Sequence, residues 1–160
     1  MRNVLFLILL IFVSCQDHKI GDVIYDVAID VVLKNSNGEN LLAEQTADHI
    51  DFESINVSYL LEGDVQTVYN SNLDCPKNIC LINDRGQPVG VRIYLNDALG
   101  DAYPVTYIDW GNGDIDTLKS HFVRKNDGAY VVSDSVWFNN GLMYPNQTSS
   151  GLGRAIEVVK

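Results

Sequence analysis

The densest polar constellation in the chain is the run Asp109-Trp110-Gly111-Asn112-Gly113-Asp114-Ile115-Asp116-Thr117. Asn112, Asp114 and Asp116 stand at alternate positions, and several hard oxygen ligands drawn from one loop are what calcium requires. The run departs from the EF-hand pattern: no glycine follows Asp116, and Val123 stands where the bidentate acid would sit. The same run sets Trp110 beside Asp109, Asn112 and Asp114. An indole on an exposed strand face stacks on a sugar ring, while nearby carboxylates and amides bond its hydroxyls. A simpler reading competes with both: a hairpin whose Asn and Asp residues shape the turn and face water, with Trp110 as a core residue.

Other residues offer less. Trp137, between Val136 and Phe138, reads as a core plug, and Tyr103 and Tyr107 share one strand face. There is no Gly-x-Ser-x-Gly elbow and no His-Glu-x-x-His pair. Gly151-Leu152-Gly153 lacks the strand-to-helix setting of a phosphate cradle. His121, between Ser120 and Phe122, reads as structural, and Asp114 with Asp116 does not define glycosidase geometry. The expectation is a protein that is not an enzyme. A small hydrolase working through His121 is the alternative the sequence supports least. No cofactor is expected, apart from calcium at Asn112, Asp114 and Asp116.

The elements that must position these residues are strands. Val23, Tyr25, Val27, Ile29, Val31 and Leu33 alternate with polar residues at a strict period of two, as in a half-buried strand. Glu39 to Asp51 shows no period, with Leu41 and Leu42 entering the core from a loop. Ile55 to Leu61 and Val65 to Tyr69 read as a hairpin about Glu62-Gly63-Asp64. Ile79 to Ile82 and Val89 to Leu95 follow, then Tyr103 to Trp110 and Ile115 to Val123 around the glycine-rich loop. Ala129 to Val132, Val136 to Phe138 and Ala155 to Val159 complete the set. Eight to ten short strands with almost no helix predict an antiparallel β-sandwich, immunoglobulin-like or jelly-roll-like, over residues 23–160.

The N-terminus has a different character. Met1-Arg2 precedes an unbroken apolar run from Val4 to Val13, too short to span a bilayer, which needs about 20 apolar residues. Phe12-Val13-Ser14-Cys15 resembles the lipobox of bacterial lipoproteins, where the cysteine is lipidated and becomes the mature N-terminus. Residues 1–14 are thus expected to be a signal peptide, and residues 15–22 the lipidated cysteine and its tether. Outside the cytoplasm, Cys75 and Cys80 are most simply a disulfide. The rival, half a metal site, lacks soft partners, since His18, His49 and His121 are scattered. The formal net charge of −10 excludes a phosphate backbone as a natural partner.

The lipobox, Asn40-Leu41-Leu42 after a glycine turn, the Trp110…Asp114-Ile115-Asp116-Thr117 hairpin and Val136-Trp137-Phe138-Asn139-Asn140-Gly141 together resemble small Bacteroidetes-type lipoproteins, a group with no established activity. The resemblance implies export and a lipid on Cys15 in the outer membrane, with the domain facing either the periplasm or the cell exterior. It also implies glycan attachment at Asp-Ser/Thr-apolar triplets, which Asp116-Thr117-Leu118 and Asp134-Ser135-Val136 match, with Thr117 and Ser135 as acceptors. The expected partners are the membrane, through the lipid, and either another envelope protein on an exposed sheet face or edge, or a glycan. Nucleic acid is not among them.

Overall fold

Alternating apolar residues produce strands in two stacked sheets. The computed structural model describes residues 22–145 and 154–160. The signal segment, Cys15 and all of the tether but Asp22 lie outside the described residues. The strands are β1 (Ile24–Asp26), β2 (Ala28–Lys34), β3 (Asn56–Leu61), β4 (Asp64–Thr67), β5 (Ile79–Asp84), β6 (Gln87–Tyr94), β7 (Val105–Asp109), β8 (Ile115–Lys125), β9 (Tyr130–Phe138), β10 (Gly141–Tyr144) and β11 (Ala155–Val159). The larger sheet runs β1-β9-β8-β7-β3-β4, with β10 also on β9, and the smaller β11-β2-β6-β5. The inner faces interdigitate through Ile29, Val31, Leu33, Ile55, Val57, Val91, Ile93, Ile108, Leu118, Val136 and Ile156, all 1 % exposed or less. The protein is an all-β sandwich, as its periodicity predicts.

Three details differ from the sequence reading. The segment Val23 to Leu33 is not one strand. It changes sheets at Val27, so β1 joins the larger sheet and β2 the smaller. Two pairings are parallel, β1 with β9 and β11 with β2, so the sheets are mixed. Alternation reports which face is buried and says nothing of the neighbour's direction. Finally, Ala129 to Val132 and Val136 to Phe138 belong to one strand, β9, with a bulge opposite His121 and Phe122. Asp134 is the extra residue, so Val131 and Ser133 face inward before it and Val136 after it. An inserted residue reverses the parity of the pattern, which makes one strand look like two.

Local chemistry sets the turns. Glu62-Gly63, Arg85-Gly86 and Asn139-Asn140 each place two residues at positive φ, the twist that two-residue hairpins require. Gly90 lets β6 approach β2: a Cβ there would lie 2.8 Å from the Val31 carbonyl oxygen. Leu41 and Leu42 plug the core from a loop that forms turns rather than helix. Where β6 crosses to β7, buried Asn96 ties the connection down. Its Nδ2 donates to the carbonyls of Leu60 (2.9 Å) and Val105 (3.1 Å), and its backbone N–H donates to Thr106 Oγ1 (2.8 Å).

Cys75 and Cys80 are bonded, with Cα atoms 5.4 Å apart, closing the loop that leads into β5. A ring this short removes modest chain entropy from the unfolded state, worth about 2 kcal/mol. Replacing both cysteines by serine is expected to lower the unfolding free energy by about that amount in a urea titration. An unchanged midpoint, with the wild type verified as oxidised, would contradict a structural role for the bond.

Candidate functional site

Trp110 turns inward, while Gly111 to Ile115 of its hairpin stay exposed. Trp110 is 1 % exposed, its indole buried at the end of β7. Its Nε1–H donates to Asp116 Oδ2 at 2.7 Å, and Asp116 is itself buried. Asn139, from the turn after β9, donates to Asp116 Oδ1 at 2.5 Å. The Lys160 ammonium, beyond β11, donates to Asp116 and to Asp114 and lies 5.1 Å above the Trp110 ring. Gly111 closes the arrangement at φ +84°, where a Cβ would fall 2.0 Å from Ser54 Oγ.

This geometry corrects two expectations. Trp110 cannot stack on a sugar, because its faces are covered; the subsite expected of Trp110, Asp109, Asn112 and Asp114 is not formed. The Asp109 carboxylate instead accepts the Gly111 N–H at 2.9 Å. Nor do Asn112, Asp114 and Asp116 converge on a cation. Asn112 Oδ1 accepts the Asp114 N–H at 3.0 Å, and both aspartates are engaged by Lys160. Among the described residues no group of three or more His, Cys, Asp and Glu side chains could hold a metal ion.

The second tryptophan is the available one. Trp137 is half-buried on the outer face of the larger sheet, outside the core cluster, which corrects its reading as a plug. Strand register builds a row around it: Val105 opposite Lys119, Lys119 opposite Trp137, and Trp137 opposite Leu142. One step beyond the Tyr59–Thr106 pair, Leu60 extends the row, and Leu60 stands opposite Val65 on β4. Val65 is 60 % exposed and Leu142 39 %. Tyr103, 52 % exposed, meets Trp137 edge-on with ring centroids 5.6 Å apart, and its ring lies equally near His121. The row thus crosses six strands with one charged side chain, Lys119.

The remaining candidates lie beside this row. Thr117 stands opposite Tyr107 and Ser135 opposite His121, both half-buried on the outward-facing parity, as a glycan acceptor would have to be. His121 Nδ1 is 2.7 Å from Asp134 Oδ1, and both side chains are about 40 % exposed. An open sheet face gives this pair none of the dry enclosure that general acid–base chemistry uses. Reading parity outward from Val136, rather than scoring Trp137 by its apolar neighbours, is the signal that finds this face.

Burial opposes ionisation of Asp116, but hydrogen bonds from Lys160, Asn139 and Trp110 more than offset it, so its carboxyl titrates below the usual 3.8. A depressed folded-state pKa contributes stability above the unfolded value and loses it as pH falls through the folded one. The wild type should therefore lose stability as acid is added below about pH 4. Asp116→Asn should lack that part of the slope and, with Lys160 left only the exposed Asp114, be destabilised by about 2 kcal/mol at neutral pH. Urea titrations from pH 3 to pH 7 measure both; equal stability of variant and wild type at pH 7 would remove the buried clamp.

Comparison of the chain with protein-family models, with curated proteins and with solved structures finds no match in any of the three.

Proposed function

We propose that this protein is a non-catalytic binding module of the bacterial cell envelope. It is held to the outer membrane by a lipid on Cys15 and docks a partner protein on the outer face of its larger sheet. The observation that carries this reading is Trp137, half-exposed on that face within an apolar row and next to the exposed Tyr103 ring. Buried tryptophan and tyrosine anchors supply most of the energy of protein interfaces, and charge is depleted at interface cores. A face of this kind spread over six strands is a flat surface suited to another protein.

Edge pairing is the rival mode, and at the β4 edge, where the apolar row ends, the residues argue against it. β4 has four residues, all exposed, and begins with Asp64. Short, charged edge strands discourage strand addition. The face therefore carries the contact, and β4 marks one end of it.

The test places a photo-crosslinking residue at Leu142 in the full-length lipidated protein within its native envelope. One discrete protein adduct is expected. Trp137→Ala should then weaken binding of that partner by about 2 kcal/mol, roughly thirtyfold, without lowering the melting temperature. No adduct, or a variant that binds as the wild type does, would contradict the reading. Docking also requires the flanking hydroxyls to be bare, because a glycan on Thr117 or Ser135 would cover the row. Mass spectrometry of the native protein should find both peptides unmodified; a glycan on either would make the face a decorated surface instead.

A further inference from the structure

The smaller sheet offers a different chemistry, independent of the Trp137 face. Because the chain changes sheets at Val27, Tyr25 on β1 overhangs the outer rim of β2 and β6. A cleft opens beneath it in two lobes, of about 520 Å³ and 390 Å³, which share Tyr25, Val27 and Tyr94 as walls. Both volumes fall in the roughly 300–1,000 Å³ range of small-ligand sites.

Tyr25 is 58 % exposed and Tyr94 37 %, so ring surface from both is open to a ligand. Polar ties hold the walls. The Tyr25 hydroxyl donates to Asp97, and the Tyr59 hydroxyl donates to the Tyr94 carbonyl at 2.8 Å while accepting from Asn78 Nδ2 at 2.8 Å. Burial and the Asp97 hydrogen bond push the Tyr25 phenol up to about 12, so it stays a donor throughout the working pH range. The larger lobe is lined by Asp26, Asp30, Arg92 and Arg154. Arg92 donates Nε–H and Nη2–H to the two oxygens of buried Asp30, at 2.7 and 2.9 Å, while its own side chain is 49 % exposed. Arg154 pairs with Asp26 at 2.7 Å, and the Asp26 side chain is 51 % exposed. An open guanidinium and an open carboxylate, each aligned by its partner, therefore sit side by side.

Charge selects the ligand. Two arginines against two aspartates leave this lobe with no net charge, in a chain of net −10. An anion or a cation gains no net attraction there. A neutral polyol gains both a donor fork and an acceptor pair, the combination that vicinal hydroxyls match, with aromatic carbon beside them for the apolar face of a pyranose. The other lobe differs in charge: Asp74 and Asp97 line it with no cation among its walls. It therefore offers acceptors and the Asn78 amide around the same tyrosines and disfavours an anion. We propose that this cleft binds a neutral oligosaccharide, with one unit against Tyr25 and Tyr94 in each lobe.

The test is titration of the intact, detergent-solubilised protein with maltotriose, cellotriose and xylotriose, and with trigalacturonate as the acidic control, followed by saturation-transfer NMR. Binding of at least one neutral trisaccharide and none of trigalacturonate is expected. Tyr25→Ala and Arg92→Gln should each weaken it by about tenfold or more. Tyr25 is exposed, so its truncation should leave the melting temperature unchanged. If Arg92→Gln unfolds the sheet, Arg154→Gln and protein-side shifts at Tyr25 and Tyr94 in the wild type report on the same lobe. Trp137→Ala should leave saccharide binding unaltered, which separates failure here from failure of the docking face. Absence of binding to all three neutral sugars, preference for trigalacturonate, or indifference to Tyr25→Ala would each overturn the proposal.

Discussion

One buried carboxylate organises this sandwich. Asp116 sits among side chains of the inner face of the larger sheet, and an unpaired charge there would cost several kcal/mol. Its partners are Trp110 across the same hairpin and two distant residues, Asn139 in the turn after β9 and Lys160 beyond β11. Two belong to the larger sheet and one follows the smaller, so satisfying one side chain fastens the sheets together at that end. It also draws the indole of Trp110 inward. Of the residues that looked like a ligand site, Trp110 and Asp116 meet the needs of the core, and Asp109 and Asn112 shape the turn.

That constraint divides the surface. With Trp110 inside, Trp137 is the tryptophan left to the outer face, and the bulge at Asp134 keeps it there by reversing the parity of β9 after Ser133. The larger sheet consequently presents an apolar row edged by Thr117 and Ser135. The smaller sheet presents paired ions and tyrosines, because the crossing at Val27 brings β1 over its rim. The two outer faces lie on opposite sides of the sandwich. A protein partner on one and a saccharide on the other would not compete for space.

Much of the fold was legible in the chain. The Glu62-Gly63 and Asn139-Asn140 turns and the cysteine loop follow from local chemistry that tertiary context did not override. The period-two pattern of Val23 to Leu33, by contrast, hides the change of sheets at Val27. At the Trp110 hairpin the simpler reading holds, with Asn112 and Asp114 shaping a turn in water and the indole in the core, whereas the sugar and calcium readings do not. The hairpin's Asp and Asn residues are equally good for water, metal or a buried clamp, and Lys160, which decides between them, lies 44 positions from Asp116. Trp137 was misassigned because its neighbours Val136 and Phe138 belong to the inner face, while an indole between them points the other way. The Tyr25 cleft had no local signature, since Tyr25, Arg92 and Arg154 meet only through the sheet crossing and a parallel pairing.

The most direct check is which tryptophan water can reach. In Trp137→Phe, Trp110 is the sole indole, and acrylamide quenching of its fluorescence reports its burial. A blue-shifted emission that acrylamide barely quenches, against stronger quenching in the wild type, is the expected result. Emission quenched as readily in Trp137→Phe as in the wild type, with the variant folded, would place Trp110 in water and contradict the buried clamp.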